Sequence, residues 1–224
     1  MIADNLRSVT QRIAASCAKA GSPEGDVRLV VVTKEASVEE MEEALGSGAA
    51  ILGENRVQDA LIKYRAIGDR ASWHLVGHLQ TNKARDAVRI FSLIHSVDNL
   101  RLAGEISKEA SRIGKVQNIL IQVNISGEKT KYGIEPGSLA DFLNTTVLYP
   151  NINIEGLMTI APEASEPESA RPYFRALREL RDKINEGRTG KKKLRILSMG
   201  MSNDFEIAIE EGSNMVRIGR AIFR

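Results

Sequence analysis

Eight short, almost continuously apolar runs recur along the chain, each bounded by glycine or polar residues: 29–33, 50–52, 73–76, 90–95, 119–123, 154–158, 194–197 and 215–218. Most are rich in Val, Ile and Leu, the pattern of strands buried on both faces of a parallel sheet. Between them the apolar period changes to that of helices. Residues 38–46 carry Met41, Ala44 and Leu45 behind Ser37, with Glu40 placed to complete a capping box. Val57, Ala60, Leu61 and Tyr64 form one stripe; Leu102, Ile106, Ala110 and Ile113 form another. Leu139, Phe142 and Leu143 make a shorter one, and Ala170, Tyr173, Phe174, Leu177, Leu180 and Ile184 the longest. Phe205, Ala208 and Ile209 mark the last, closed by Gly212, while residues 79–88 show only a weak helical period.

Strands alternating with helices predict an α/β protein with a parallel sheet. Eight strands spaced by about 27 residues match a (β/α)8 TIM barrel, a fold usually of about 250 residues, and the whole of 1–224 reads as one such domain. Only six residues follow the eighth strand, so no closing helix is predicted there. An extra amphipathic helix bearing Leu6, Val9, Ile13 and Cys17 precedes the first strand and is expected to cover the gap beside the eighth. An open doubly wound sheet is the alternative, but no Gly-x-Gly-x-x-Gly turn follows the first strand.

Composition narrows the class. With 224 residues and 42% hydrophobic content the chain can bury a full core, and 31 basic against 29 acidic residues leave +2, too little to suggest a nucleic-acid binder. The single cysteine, Cys17, cannot form an internal disulfide, and it reads as a small buried hydrophobe. Asp4 and Arg7 interrupt the apolar start, so no secretory signal is expected, and no apolar run approaches the ~20 residues of a membrane span. The expectation is a cytoplasmic protein. The Pro162–Pro167 stretch and Lys191-Lys192-Lys193 read as solvated loops.

In such a barrel the chemistry sits at the C-terminal ends of the strands. Lys34 ends the first. A lysine at a barrel mouth is partly desolvated, which favours the free amine needed for imine formation. Ser198-Met199-Gly200-Met201-Ser202 leads from the seventh strand toward a helix expected near Asn203. Together with Ile218-Gly219-Arg220 after the eighth strand it could seat a phosphate, as loops after strands seven and eight often do; Ser202 could equally cap that helix. Arg217 lies in the eighth strand, next to the first in a closed barrel and so near Lys34. It either pairs with an acid or faces a ring nitrogen of a cofactor. His74, His78 and His95 offer no ligand set, so no metal is expected.

The ordered segments Val31-Val32-Thr33-Lys34, Gly53-Glu54-Asn55-Arg56-Val57-Gln58 and Trp73 through Lys83 carry a resemblance that continues downstream. There it takes in His95-Ser96-Val97-Asp98, Gln122 to Ser126, Lys131-Tyr132-Gly133, Gly156-Leu157-Met158, Leu197 to Ser202 and Val216-Arg217-Ile218-Gly219. The chain resembles the pyridoxal phosphate homeostasis proteins, single-domain relatives of the alanine racemase barrel. The resemblance implies that Lys34 forms a Schiff base with pyridoxal 5′-phosphate and that Arg217 faces its pyridine nitrogen. It further implies that Ser198, Gly219 and Arg220 hold the phosphate with Met201 nearby, and that Asn55 lies beside the ring. Arg220 stands where the family commonly has Ser or Thr, Thr33 where it commonly has Ser, and relatives often continue past Arg224. No role follows for Lys83 or Lys131.

Arginine stays protonated and cannot accept the ring proton that makes this cofactor a strong electron sink. The expected function is therefore a cofactor carrier and buffer that serves apo-forms of pyridoxal phosphate enzymes, without robust catalysis, and a monomer is expected because no long exposed apolar helix face asks for a partner. The alternative is an amino-acid racemase, which in this barrel family uses a second base, typically tyrosine, from an added C-terminal domain. The sequence leaves no length for that domain and places none of Tyr64, Tyr132, Tyr149 and Tyr173 opposite Lys34. A third reading is an aldolase-type enzyme acting on a phosphorylated metabolite through Lys34.

Overall fold

The computed structural model describes residues 1–23, 25–190 and 193–224, so that of the lysine loop at 191–193 only Lys193 lies within the described residues. Eight parallel strands close into a barrel in sequence order. They are β1 (Arg28–Val32), β2 (Ile51–Glu54), β3 (Ser72–Leu75), β4 (Leu93–Val97), β5 (Gln117–Gln122), β6 (Ile152–Met158), β7 (Ile196–Ser198) and β8 (Met215–Ile218). The seam is the β1–β8 pair, in which Val30 stands opposite Arg217.

Every predicted strand is present, most with ends shifted by a residue or two, and two of the shifts have clear reasons. β2 runs on through Gly53 and Glu54. Glycine there answers a packing demand, since a Cβ at position 53 would come within 2.7 Å of the Val30 side chain. Ile90 and Phe91, read as the start of the fourth strand, instead finish a helix; Phe91 is apolar because it is fully buried. A short apolar run has no period to tell the two states apart.

The surrounding helices are α1 (Ile2–Ala20), α2 (Val38–Gly46), α3 (Val57–Ile67), α4 (Ala84–Ile90), α5 (Leu100–Arg112), α6 (Leu139–Thr145), α7 (Arg171–Glu186), α8 (Phe205–Glu210) and α9 (Arg220–Phe223). The capping box of α2 is formed, with Ser37 Oγ accepting from the Glu40 N–H and Glu40 Oε2 from the Ser37 N–H. The chain does have a helix after β8, contrary to the sequence reading. It spans only four residues, too short to wall off the seam.

α1 supplies that wall. Its buried face, Ile2, Leu6, Val9, Ile13 and Cys17, packs against α8, α9 and α2. Each large aliphatic side chain buried there stabilises the fold by about 1.5–3 kcal/mol at most. Polar contacts fix the register: Asn5 Nδ2 donates to the Ile222 carbonyl at 3.0 Å, and Arg12 pairs with Glu206 at 2.9 and 3.0 Å while lying over the Phe205 ring at 4.7 Å.

Successive strand side chains alternate between the two faces. One parity, including Val31, Leu52, Trp73, Ile94, Leu157, Leu197 and Val216, meets the helices. The other, Val30, Val76, Leu93, Leu120, Met158, Ile196 and Met215, forms a separate cluster in the barrel interior. His74, His95, Ser198 and Arg217 all fall on the inward parity of their strands, and Lys34 follows the end of β1 in a turn. The site is built from that register. Among the described residues no helix is long and apolar enough to cross a membrane.

Candidate functional site

A cleft of about 680 Å³ opens at the C-terminal ends of the strands. Of the seven residues singled out in the sequence, six line it: Lys34, Asn55, Met201, Arg217, Gly219 and Arg220. Ser198 does not; it lies fully buried below.

Lys34 follows the end of β1 with its side chain about half exposed, and its Nζ is 3.5 Å from Glu35 Oε1. Glu35 also pairs with Arg224. The desolvation expected of Lys34 is therefore slight. Behind it the chain is locked in place. Thr33 Oγ1 donates to Glu54 Oε1 at 2.6 Å, and Lys63 Nζ donates both to Glu54 Oε1 at 2.8 Å and to the Thr33 carbonyl at 2.6 Å. Glu54 is entirely buried and its Oε2 has no partner.

Arg217 forms the floor of the cleft and is 4% exposed. Its Nη1 donates to Ser198 Oγ at 2.7 Å and its Nη2 to the Thr159 carbonyl at 2.9 Å. No carboxylate lies within ion-pair distance of it among the described residues, so the salt bridge considered for it is not made. Burial pushes the guanidinium down to about 10, with the charge of Asp204 opposing, and it remains a cation at neutral pH. Ser198 Oγ lies 2.9 Å from His95 Nδ1, and His95 Nε2 lies 3.0 Å from His74 Nδ1. Burial holds His74 down at about 3 and His95 well below the ordinary imidazole value.

The loop after β7 differs from its expected form. α8 starts at Phe205, later than predicted, and Ser202 does not cap it; Ser202 Oγ accepts from the Ala221 N–H at 3.3 Å and ties this loop to α9. The Met201 N–H is taken by Asp204 Oδ1 at 2.6 Å. Burial raises the Asp204 carboxyl, partly offset by that N–H and by Arg217. At Gly219 a Cβ would meet the Val32 carbonyl at 2.8 Å, so only glycine lets the backbone pass this close at the seam.

Several lining residues carried no signal in the sequence. The loop Ala161 to Pro167 forms one wall of the cleft, and Lys131 and Arg224 stand on its rim. His78 stacks on Tyr132, ring centroids 3.8 Å apart, outside this cleft and in a neighbouring one. No tyrosine lines the main cleft among the described residues. Nor do those residues hold a cluster of three or more His, Cys, Asp or Glu suited to a metal.

The donor set suits a flat, anionic aldehyde. An amine stands at the rim and a guanidinium with no carboxylate partner at the floor. A glycine-backed loop with an adjacent arginine lies between them. The fold is that of the alanine racemase N-terminal domain, whose family model matches residues 4–224. An alanine racemase of Clostridium difficile shares the fold at a TM-score of 0.74 but only 19% identity, with 98% of this chain and 55% of that one covered. Much nearer in sequence is the pyridoxal phosphate homeostasis protein of Aquifex aeolicus, 45% identical over 98% of this chain and 96% of its own. PipY of Synechococcus elongatus, a structure with PLP bound, superposes at a TM-score of 0.87 with 32% identity and full coverage of both chains. The chain belongs to the pyridoxal phosphate homeostasis protein family.

Proposed function

We propose that this protein binds pyridoxal 5′-phosphate in the cleft and acts, as a monomer, in intracellular homeostasis of that cofactor. In this reading it buffers a reactive aldehyde and passes it to apo-enzymes, without robust catalysis of its own. The kinship with homeostasis proteins and with a PLP-bound neighbour supports the ligand. The observation that carries the role is Arg217, a buried cation on the floor of the cleft with no acidic partner.

When bound, the cofactor supplies an electrophilic aldehyde and a ring that withdraws electrons chiefly when its nitrogen is protonated. Lys34 supplies the amine that holds the aldehyde. Arg217 meets the ring nitrogen as a donor and, having no proton to accept, keeps it unprotonated. Asn55 flanks the ring. Gly219 and Arg220 hold the phosphate with Met201 alongside, the backbone N–H at 220 and its guanidinium standing in for a hydroxyl. The inward-buried Ser198 supports Arg217 in place of touching phosphate. The lack of any tyrosine in the cleft among the described residues favours the carrier over a racemase.

Two measurements test this. The purified protein should absorb visible light when loaded with pyridoxal 5′-phosphate, and borohydride should fix the cofactor on the peptide containing Lys34; a colourless protein under these conditions would favour the aldolase-type reading. Incubation with L-alanine and other amino acids should yield no D-enantiomer. Turnover at ordinary enzymatic rates, about 1–10³ per second, would overturn the carrier role.

A further inference from the structure

Beneath the cleft the barrel holds an unbroken line of buried polar side chains running from β8 through β7 and β4 to β3: Arg217, Ser198, His95 and His74. Ser198 and His95 are fully buried and the other two are 4% exposed. Such a line in an aliphatic interior is costly unless each donor finds an acceptor. Here it does. Among the described residues the orphaned buried side-chain atoms are Glu54 Oε2 and Gln117 Oε1, neither of them in this line.

That completeness fixes the direction of every bond. Arg217 can only donate, so Ser198 Oγ accepts from it. The Ser198 hydroxyl proton then needs an acceptor, and the atom within reach is His95 Nδ1 at 2.9 Å. A proton on His95 Nδ1 would leave the Ser198 proton with nowhere to go. Neutral His95 therefore carries its proton on Nε2 and donates it to His74 Nδ1 at 3.0 Å. His74 in turn carries its own on Nε2. Burial first, and then the charge of Arg28, oppose a second proton on either ring, and on His95 the neighbouring His74 and Arg217 oppose it as well.

We propose that Ser198, His95 and His74 are positioning residues: a one-way donor chain, both imidazoles in the neutral Nε2–H form, that anchors the Arg217 guanidinium and so fixes the electronic state of the ring resting on it. The first half stands on the geometry alone. The second rests on the pyridoxal phosphate reading above. Because each bond in a chain polarises the next, cutting it at Ser198 should loosen Arg217 without removing its charge.

Long-range ¹⁵N–¹H correlation spectra of the protein without cofactor, labelled at histidine, test the first half. Two imidazoles should show the neutral Nε2–H pattern and stay unchanged from pH 8 to pH 5. An Nδ1–H form for His95, or a midpoint near 6.5 for both, overturns the chain. For the second half, Ser198→Ala should weaken pyridoxal 5′-phosphate binding by roughly tenfold, the scale of one lost bond to a charged group, and shift the visible absorption maximum. Ser198→Thr, which keeps the hydroxyl, should restore the maximum. An unchanged affinity and spectrum in Ser198→Ala overturns the positioning role. If wild type fails to bind the cofactor, the functional reading falls, and the role assigned toward the ring falls with it; the histidine spectra still decide the chain.

Discussion

Val30 on β1 stands directly across the barrel seam from Arg217 on β8. Val30 and Val32 share one side of β1, and Lys34 follows two residues past its end, so this pairing brings the strand end that carries the Lys34 amine beside the Arg217 guanidinium on the floor. Both line one cleft. Lys34→Ala should therefore abolish the borohydride-fixed adduct while leaving most of the phosphate-dependent affinity. Mass spectrometry of the reduced, denatured protein, with equilibrium dialysis beside it, checks both parts.

Replacing Arg217 probes the floor. Arg217→Met removes the buried cation and leaves Ser198 Oγ and the Thr159 carbonyl each short of a donor. Stability should fall by about 2–4 kcal/mol, the cost of unsatisfied buried groups. Arg217→Lys keeps charge but not the two-pronged donor geometry, and should recover only part of the loss. Urea unfolding of the three proteins measures the order, and equal stabilities would contradict the geometry described.

The buried histidines make stability depend on pH in a definite sense. Their folded-state values lie below the ordinary 6.5, about 3 for His74. Between 6.5 and those values the unfolded chain binds protons that the native one refuses, so stability rises with pH across that window. Acidifying from pH 6.5 should cost about 1 kcal/mol per pH unit for each histidine. Thermal unfolding at pH 7.5, 6 and 5 should show the decline beginning above the range where carboxylates titrate. A flat profile down to pH 5 would mean that the imidazoles are not held neutral.

Lys63 is the sole cation paired with the buried Glu54 among the described residues, and it also holds the Thr33 carbonyl next to Lys34. Lys63→Ala should destabilise the fold by about 3 kcal/mol by stranding a buried carboxylate. It should also lower the yield of the Lys34 adduct, because the end of β1 loses its anchor. A double change of Lys63→Met with Glu54→Leu should recover much of the stability but not the adduct yield. Calorimetry and the mass assay separate the two effects.

The sequence revealed most of the fold because buried parallel strands advertise themselves as short aliphatic runs, and β8 was bounded correctly at Met215 and Ile218. Where it misled, at Ile90 and Phe91, a buried helix end looked the same as a strand. Six of the seven candidate residues line one cleft because they sit near or just past strand ends, where period and topology suffice to place them; Ser198 also ends a strand but lies buried beneath. Ser198 shows the limit. Its neighbours His95 and Arg217 are 103 and 19 positions away in the chain, and no local period links such distant residues. A usable signal was present nonetheless: His74, His95, Ser198 and Arg217 are polar residues on strand positions two away from interior aliphatics. The walls formed by the loop after β6 and by Arg224 left no such trace, since loop composition says little about which surface a loop faces.

α1 touches α2 nearby in the chain, but it completes the ring by leaning on α8 and α9, elements encoded almost two hundred residues later. During synthesis the part of its apolar stripe that meets α8 and α9 has no permanent cover until the ribosome has released nearly everything else. Long-range closure of this kind slows folding and leaves sticky surface exposed. The nascent chain should accordingly depend on a holding chaperone more than a barrel sealed by its own last helix would.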